Sequence, residues 1–114
     1  MYSNDQDILR HIHEETQYLL SKHYVTYDEL IASPTLQRAF VRSIEVIGEA
    51  TKKLSELFRD NNKEIDWKAI AGMRDKLIHD YFGVDYQIVY DVVKNEIPKL
   101  NNVIEKNNDQ LSLF

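Results

Sequence analysis

A chain of 114 residues, 43% hydrophobic and 29% charged, can bury one core holding roughly two-thirds of the surface its unfolded form exposes, which excludes a low-complexity or disordered protein. It has no cysteine, which excludes disulfides, a thiolate metal site and a Cys nucleophile, and suits a reducing cytosol. Fourteen Lys and Arg against nineteen Asp and Glu give a net charge of −5, which excludes holding long nucleic acid by charge alone, so any nucleic-acid contact must be local.

The start, Met1-Tyr2-Ser3-Asn4-Asp5, is polar and acidic, and no apolar run approaches the roughly twenty residues needed to span a bilayer. The expectation is a soluble, cytoplasmic protein forming a single domain over 1–114, with a tail that frays from Asn107. Ile8, Ile12, Leu19 and Leu20 recur at helical spacing from Asp5 to about Lys22, with Ser3 or Asn4 as N-cap. Thr26-Tyr27-Asp28-Glu29 is a capping box that opens a short helix through about Ala32, after which Ser33-Pro34 restarts the chain.

Leu36, Phe40, Ile44, Ile47, Leu54 and Phe58 then predict a long central helix running toward Arg59. Gly48 stands in its middle among large apolar residues. Because an interior Gly costs about 1 kcal/mol relative to Ala, it points to another backbone passing close by; a loosely packed spot is the alternative. Asp60-Asn61-Asn62-Lys63 is a polar break, and Asp66 caps a helix that turns Trp67, Ile70, Met73, Leu77 and Ile78 toward the core. Gly83 is its stop. Asp85 caps a last helix through Ile88, Val89, Val92, Val93, Ile97, Leu100 and Ile104, which Pro98 should kink. Four or five helices, with no strand signal and no internal repeat, predict an all-α antiparallel bundle.

The chemistry concentrates in Arg74-Asp75-Lys76-Leu77-Ile78-His79-Asp80-Tyr81, which places a guanidinium, an imidazole and a phenol within eight residues. Arg offers a rigid fork of donors that matches phosphate oxygens, and His titrates near neutral pH and can pass protons. RNA carries its own nucleophile, the 2′-OH, so such a site needs no metal; the products would be a 2′,3′-cyclic phosphate and a 5′-OH. Lys68 and Lys76 add local positive charge and are the candidate RNA-binding residues.

On one ideal helix Asp75 and His79, four apart, share a face where the carboxylate can fix the ring tautomer. Arg74 and His79 differ by about 140°, so they converge on one atom more easily from two copies across a twofold axis than from one helix. The same residues also fit a solvated helix face with Arg74 and Asp75 in ordinary ion pairs, and Tyr81 fits a half-buried aromatic closing the helix. His11 and His13, two apart and without a carboxylate at a suitable offset, read as solvent-facing and not as metal ligands. Lys52, Lys53 and Glu56 read as a wet surface. No Gly-rich phosphate loop or Ser nucleophile elbow is present.

Two stretches, Ile44-Glu45-Val46-Ile47-Gly48-Glu49-Ala50 with Lys52-Lys53-Leu54, and the run from Trp67 to Asp85, resemble the HepT-like family of HEPN-domain proteins. Asn95-Glu96-Ile97-Pro98 in the final helix fits the same family, and the resemblance covers nearly the whole chain. It implies a helical HEPN bundle that forms a homodimer, and a toxin that cleaves RNA without metal or cofactor. The family motif of Arg, four to six residues, His, any residue and Tyr is carried here by Arg74, His79 and Tyr81, with Asp75 as the polar residue after the Arg. The resemblance further implies a partner, a small nucleotidyltransferase antitoxin that binds the dimer and attaches AMP to Tyr81. Some family members have lost nuclease activity, so a binding module serving chiefly as partner and substrate of the nucleotidyltransferase is the second reading.

Overall fold

In the computed structural model of the chain, which describes residues 4–78 and 83–107, most helices begin where a side chain can accept from an otherwise unpaired backbone N–H. Helix α1 (Asp5–Ser21) starts at Asn4, whose Oδ1 accepts from the Asp7 N–H at 3.0 Å. In α2 (Tyr27–Ala32) the capping box is complete: the Glu29 N–H donates to Thr26 Oγ1 at 3.1 Å and the Thr26 N–H to Glu29 Oε1 at 3.0 Å. Helix α3 (Pro34–Thr51) has Pro34 in its first turn and the Ser33 hydroxyl accepting from the Leu36 N–H at 3.1 Å.

The long central helix does not reach Arg59. It ends at Thr51, the N–H groups of Lys53 and Leu54 turn back to the carbonyls of Ala50 and Thr51, and a separate α4 (Glu56–Asp60) begins. Ser55 is the reason. Its Oγ accepts from the Phe58 N–H at 3.1 Å, while Asp5 at the head of α1 takes both its N–H at 2.9 Å and its hydroxyl proton at 2.5 Å. A capping serine anchored to another helix outweighs the apolar periodicity that runs across it.

The helix opened by Asp66 is also two pieces, α5 (Trp67–Ala71) and α6 (Met73–Leu77), divided at Gly72. Glycine holds a helix weakly, and here the N–H groups of Asp75 and Lys76 both turn back to the Gly72 carbonyl, so α6 restarts from it. Ile78 is extended (φ −107°, ψ 119°) and pairs antiparallel with Val84, while the Asp85 N–H donates to the Leu77 carbonyl at 2.7 Å. Gly83, at φ +89°, makes a turn that L side chains rarely adopt.

Helix α7 (Tyr86–Asp91) is capped by Asp85, whose Oδ1 accepts from the N–H groups of Gln87 and Ile88. A π turn (Val92–Glu96) joins it to α8 (Ile97–Lys106), the Ile97 N–H reaching back to the Val92 carbonyl. The irregularity expected at Pro98 thus falls one turn upstream, where the wider turn accommodates the missing donor and crowding ring of the proline.

Among the described residues there are eight α-helical segments and no strand, only the isolated Ile78–Val84 bridge, so the chain forms the all-α bundle with more segments than four or five. The segments line up as four limbs: α1, α3, α5 with α6, and α7 through α8. Leu9, Ile12 and Leu19 of α1, Phe40, Ile44 and Ile47 of α3, Leu77 of α6, and Ile97, Leu100 and Ile104 of α8 are fully buried between them. The α1–α8 seam also holds a buried polar pair, Thr16 Oγ1 donating to Asn101 Oδ1 at 2.8 Å. Asn107 closes α8, its side-chain amide donating to Asn62 Oδ1 and the Val103 carbonyl. Residues 108–114, most of the tail, lie outside the described residues.

Candidate functional site

The site is set by how closely α3 and α5 approach. A Cβ built on Gly48 would stand 3.3 Å from the Ala71 carbonyl oxygen and 3.5 Å from that of Ile70, so the second backbone expected from Gly48 is the end of α5. Glu45 precedes Gly48 by three residues, and Arg74 follows Ala71 by three. In an antiparallel crossing those offsets bring the two side chains together, and Arg74 Nε donates to Glu45 Oε2 at 2.9 Å.

Arg74 is half-exposed, and its Nη1 lies 3.7 Å from Asp75 Oδ1, beyond hydrogen-bond reach. The Arg74 guanidinium is held above its ordinary pKa, first by the hydrogen bond from Nε to Glu45, then by the charge of that carboxylate, with Asp75 and Glu49 adding to it. It is a permanently charged fork fixed at one nitrogen, with Nη1 toward Asp75 and about half of the side chain exposed. The ion pairs expected of Arg74 on a solvated helix face are present, to Glu45 and to Asp75.

Sequence reasoning singled out Asp75 but missed Glu45. Asp75 is strongly exposed, and its described ionic neighbour is Arg74. The signal for Glu45 was available in its distance from Gly48, but reading it requires knowing that α3 and α5 cross antiparallel at that glycine. Lys76 is exposed and borders a groove of about 490 Å³ between α5–α6 and α7–α8, where Glu64, Asp66, Asp91 and Glu96 also line the walls. Lys68 is exposed on α5. Acids therefore surround both Arg74 and Lys76, and the described residues do not gather the basic ones into a patch.

His79 and Tyr81, with Asp80 and Phe82, lie outside the described residues. The helical angles used to relate Arg74 to His79 assume a helix through Tyr81, whereas α6 ends at Leu77 and Ile78 is already extended. On α1, His11 is exposed, but His13 is not solvent-facing: its side chain is largely covered and its Nε2 lies 3.0 Å from Glu105 Oε2 on α8. The carboxylate missing from α1 comes from another helix. Among the described residues no three His, Asp or Glu side chains group as metal ligands, and no helix is long and apolar enough to cross a membrane.

Comparison with known proteins agrees with the resemblance read from the sequence. The family model described as ribonuclease HepT-like matches residues 7–107. A provisionally named RNase of Caldanaerobacter subterraneus is 44% identical over 99 residues, 86% of this chain and 88% of that protein. A provisionally named RNase of Methanocaldococcus jannaschii is 45% identical over 72% of this chain and 68% of its own length. A protein of Thermococcus cleftensis named as a probable ribonuclease HepT is 40% identical over 72% of this chain and 74% of its own. No solved structure matches the chain.

Proposed function

The chain belongs to the ribonuclease HepT-like family, and from that premise we propose that it is the toxin of a toxin–antitoxin pair, a metal-independent endoribonuclease whose site is shared between the two subunits of a homodimer. The observation that carries this reading is Arg74, a charged fork tethered at Nε whose terminal nitrogens make no hydrogen bond among the described residues, five residues before His79 inside the family match.

In this reading Arg74 binds the scissile phosphate and stabilises the charge that grows on its non-bridging oxygens. The 2′-OH attacks phosphorus, the bond from phosphorus to the 5′-oxygen breaks, and a 2′,3′-cyclic phosphate and a 5′-OH result. The proton leaving the 2′-oxygen goes to a neutral His79, and the departing 5′-oxygen takes a proton from the protonated His79 of the second subunit. Asp75 orients His79 or helps position the segment that carries it, and Lys68 and Lys76 contact flanking phosphates. A twofold axis brings two Arg74 and two His79 into one groove, giving local positive charge on an acidic body.

Control falls to Tyr81 and a small nucleotidyltransferase antitoxin. The Tyr81 phenolic oxygen attacks the α-phosphorus of ATP, pyrophosphate leaves, and the AMP adds bulk and negative charge beside Arg74 and His79, so that RNA is repelled and excluded. The test is RNA cleavage by the purified protein in EDTA, comparing wild type with His79→Ala. Wild type should cut and the variant should not. A folded wild-type dimer that cuts no cellular RNA overturns the nuclease reading. Incubation with the nucleotidyltransferase and ATP should add one adenylyl mass to wild type and none to Tyr81→Phe.

A further inference from the structure

We infer that Glu45 is a positioning residue for the reaction, holding the Arg74 guanidinium in the orientation in which its two terminal nitrogens meet the phosphate; the inference rests on the ribonuclease reading above. The first observation is the bond itself, Arg74 Nε to Glu45 Oε2 at 2.9 Å, with Glu45 the better covered partner, 27% exposed against 48%. The second is that this bond is rigidly placed. Glu45 and Arg74 each sit three residues from the crossing and on the same side of it, where the two backbones pass so closely that a Gly48 Cβ would be 3.3 Å from Ala71 O. A carboxylate in the middle of an eighteen-residue helix is a firmer anchor than any group on the five-residue α6 that carries Arg74.

The geometry also decides what Glu45 does to the arginine. A guanidinium has five N–H donors in a fixed plane. Fixing Nε leaves rotation about one bond restrained and the outer edge, Nη1 and Nη2, open. Asp75 stands 3.7 Å from Nη1, too far to hold it. An arginine on a short, half-exposed helix would otherwise sample many rotamers, and a phosphate would have to order it during the reaction. Glu45 performs that ordering in advance. Its negative charge weakens attraction for RNA in the ground state, so the benefit lies in the transition state and not in binding.

This gives a signature distinct from a merely structural role. Steady-state cleavage of a short RNA by the full chain should show kcat falling about ten- to hundredfold in Glu45→Ala with KM unchanged or lower, as expected for a misplaced catalytic group. Glu45→Gln keeps an oxygen that can accept from Nε and should recover kcat to within about threefold of wild type while lowering KM, since the repulsive charge is gone. Both variants should melt close to wild type, because an exposed ion pair contributes little to stability. An NMR spectrum of the arginine Nε–H groups reads the contact without any catalysis: the Arg74 resonance should be protected from exchange in wild type and Glu45→Gln, and lost in Glu45→Ala. A wild-type protein that cuts no RNA overturns the ribonuclease reading while the Nε–H resonance still tests the contact. An unchanged kcat in Glu45→Ala, a raised KM with normal kcat, or an Nε–H resonance indifferent to Glu45 overturns the positioning role.

Discussion

Gly48 on α3 and Ala71 on α5 approach so closely that a single added carbon would lie 3.3 Å from the Ala71 carbonyl oxygen. Backbone cannot swing aside as a long side chain can, and α5 is tied down at its start. The Trp67 indole N–H donates to the Asn62 carbonyl at 2.9 Å, and Asp66 accepts from the Ala69 N–H at 3.1 Å. The crossing sets the register of α3 on α5–α6, and with it the meeting of Glu45 and Arg74.

Gly48→Ala therefore pits a helix-propensity gain of about 1 kcal/mol against crowding of a fixed carbonyl. The crowding should win, lowering stability by about 1 kcal/mol, and Gly48→Val should lower it by about 3 kcal/mol because overpacking a close crossing forces backbone shifts. Urea denaturation midpoints measure both. A Gly48→Ala protein more stable than wild type would mean that α5 yields and that the crossing does not fix the site.

Acid should destabilise the protein partly through two exposed carboxylates. Glu29 titrates below its ordinary 4.5 because it accepts the Thr26 backbone N–H and then the Thr26 hydroxyl. Glu64 is lowered chiefly by its hydrogen bond from Lys106, which lies 2.5 Å away. A depressed folded-state value stabilises above the unfolded value and is lost as pH falls through the folded one. The loss from these groups accordingly begins near pH 4.5 and continues below it. Glu29→Gln should remove the Glu29 share, whereas Thr26→Ala leaves the backbone N–H in place and should cost about 1 kcal/mol at neutral pH through the lost cap. Thermal unfolding from pH 7 to pH 3 should show a shallower acid slope for Glu29→Gln and for Lys106→Met; slopes identical to wild type would refute the assignment.

Local signals in the sequence were read well because they act within one turn. Asn4, Thr26 with Glu29, Asp66 and Asp85 all cap where their chemistry allows. What misled was long-range. The apolar period from Leu36 to Phe58 crosses Ser55 without interruption, and only the Asp5 carboxylate arriving from α1 shows why the helix stops. His13 looked solvent-facing because its partner Glu105 is 92 residues away. At the site, Arg74 and Asp75 were legible as a motif, while Glu45 was not, since its role depends on a helix crossing that no single segment encodes.

The buried seam between α1 and α8 should be sensitive to Asn101. Its Oδ1 accepts from the Thr16 hydroxyl at 2.8 Å and from Gln17 Nε2 at 3.0 Å. Thr16 retains an alternative acceptor in the His13 carbonyl at 3.0 Å, so Asn101→Leu does not leave its hydroxyl unpaired. Asn101→Leu should cost about 1 kcal/mol, whereas Asn101→Ala, which also opens space among Leu100, Val103 and Ile104, should cost about 2–3 kcal/mol. Chemical denaturation of both variants tests the order; equal losses would show that the hydrogen bonds rather than the packing dominate.

Replacing Arg74 by Lys separates charge from geometry. Lysine keeps the positive charge but has no Nε–H to donate to Glu45 and no planar fork for two phosphate oxygens. Its ammonium would be drawn to Glu45 and Asp75 as a point charge and so turned from the phosphate. Because the positive charge is kept, RNA affinity, measured in the His79→Ala background to prevent turnover, should change by less than about threefold. Cleavage by Arg74→Lys with His79 intact should fall by about a hundredfold or more, the usual loss when a donor to the developing charge is removed. If Arg74→Lys cleaves as wild type does, a positive charge alone suffices, and the tether from Glu45 has no part in the reaction.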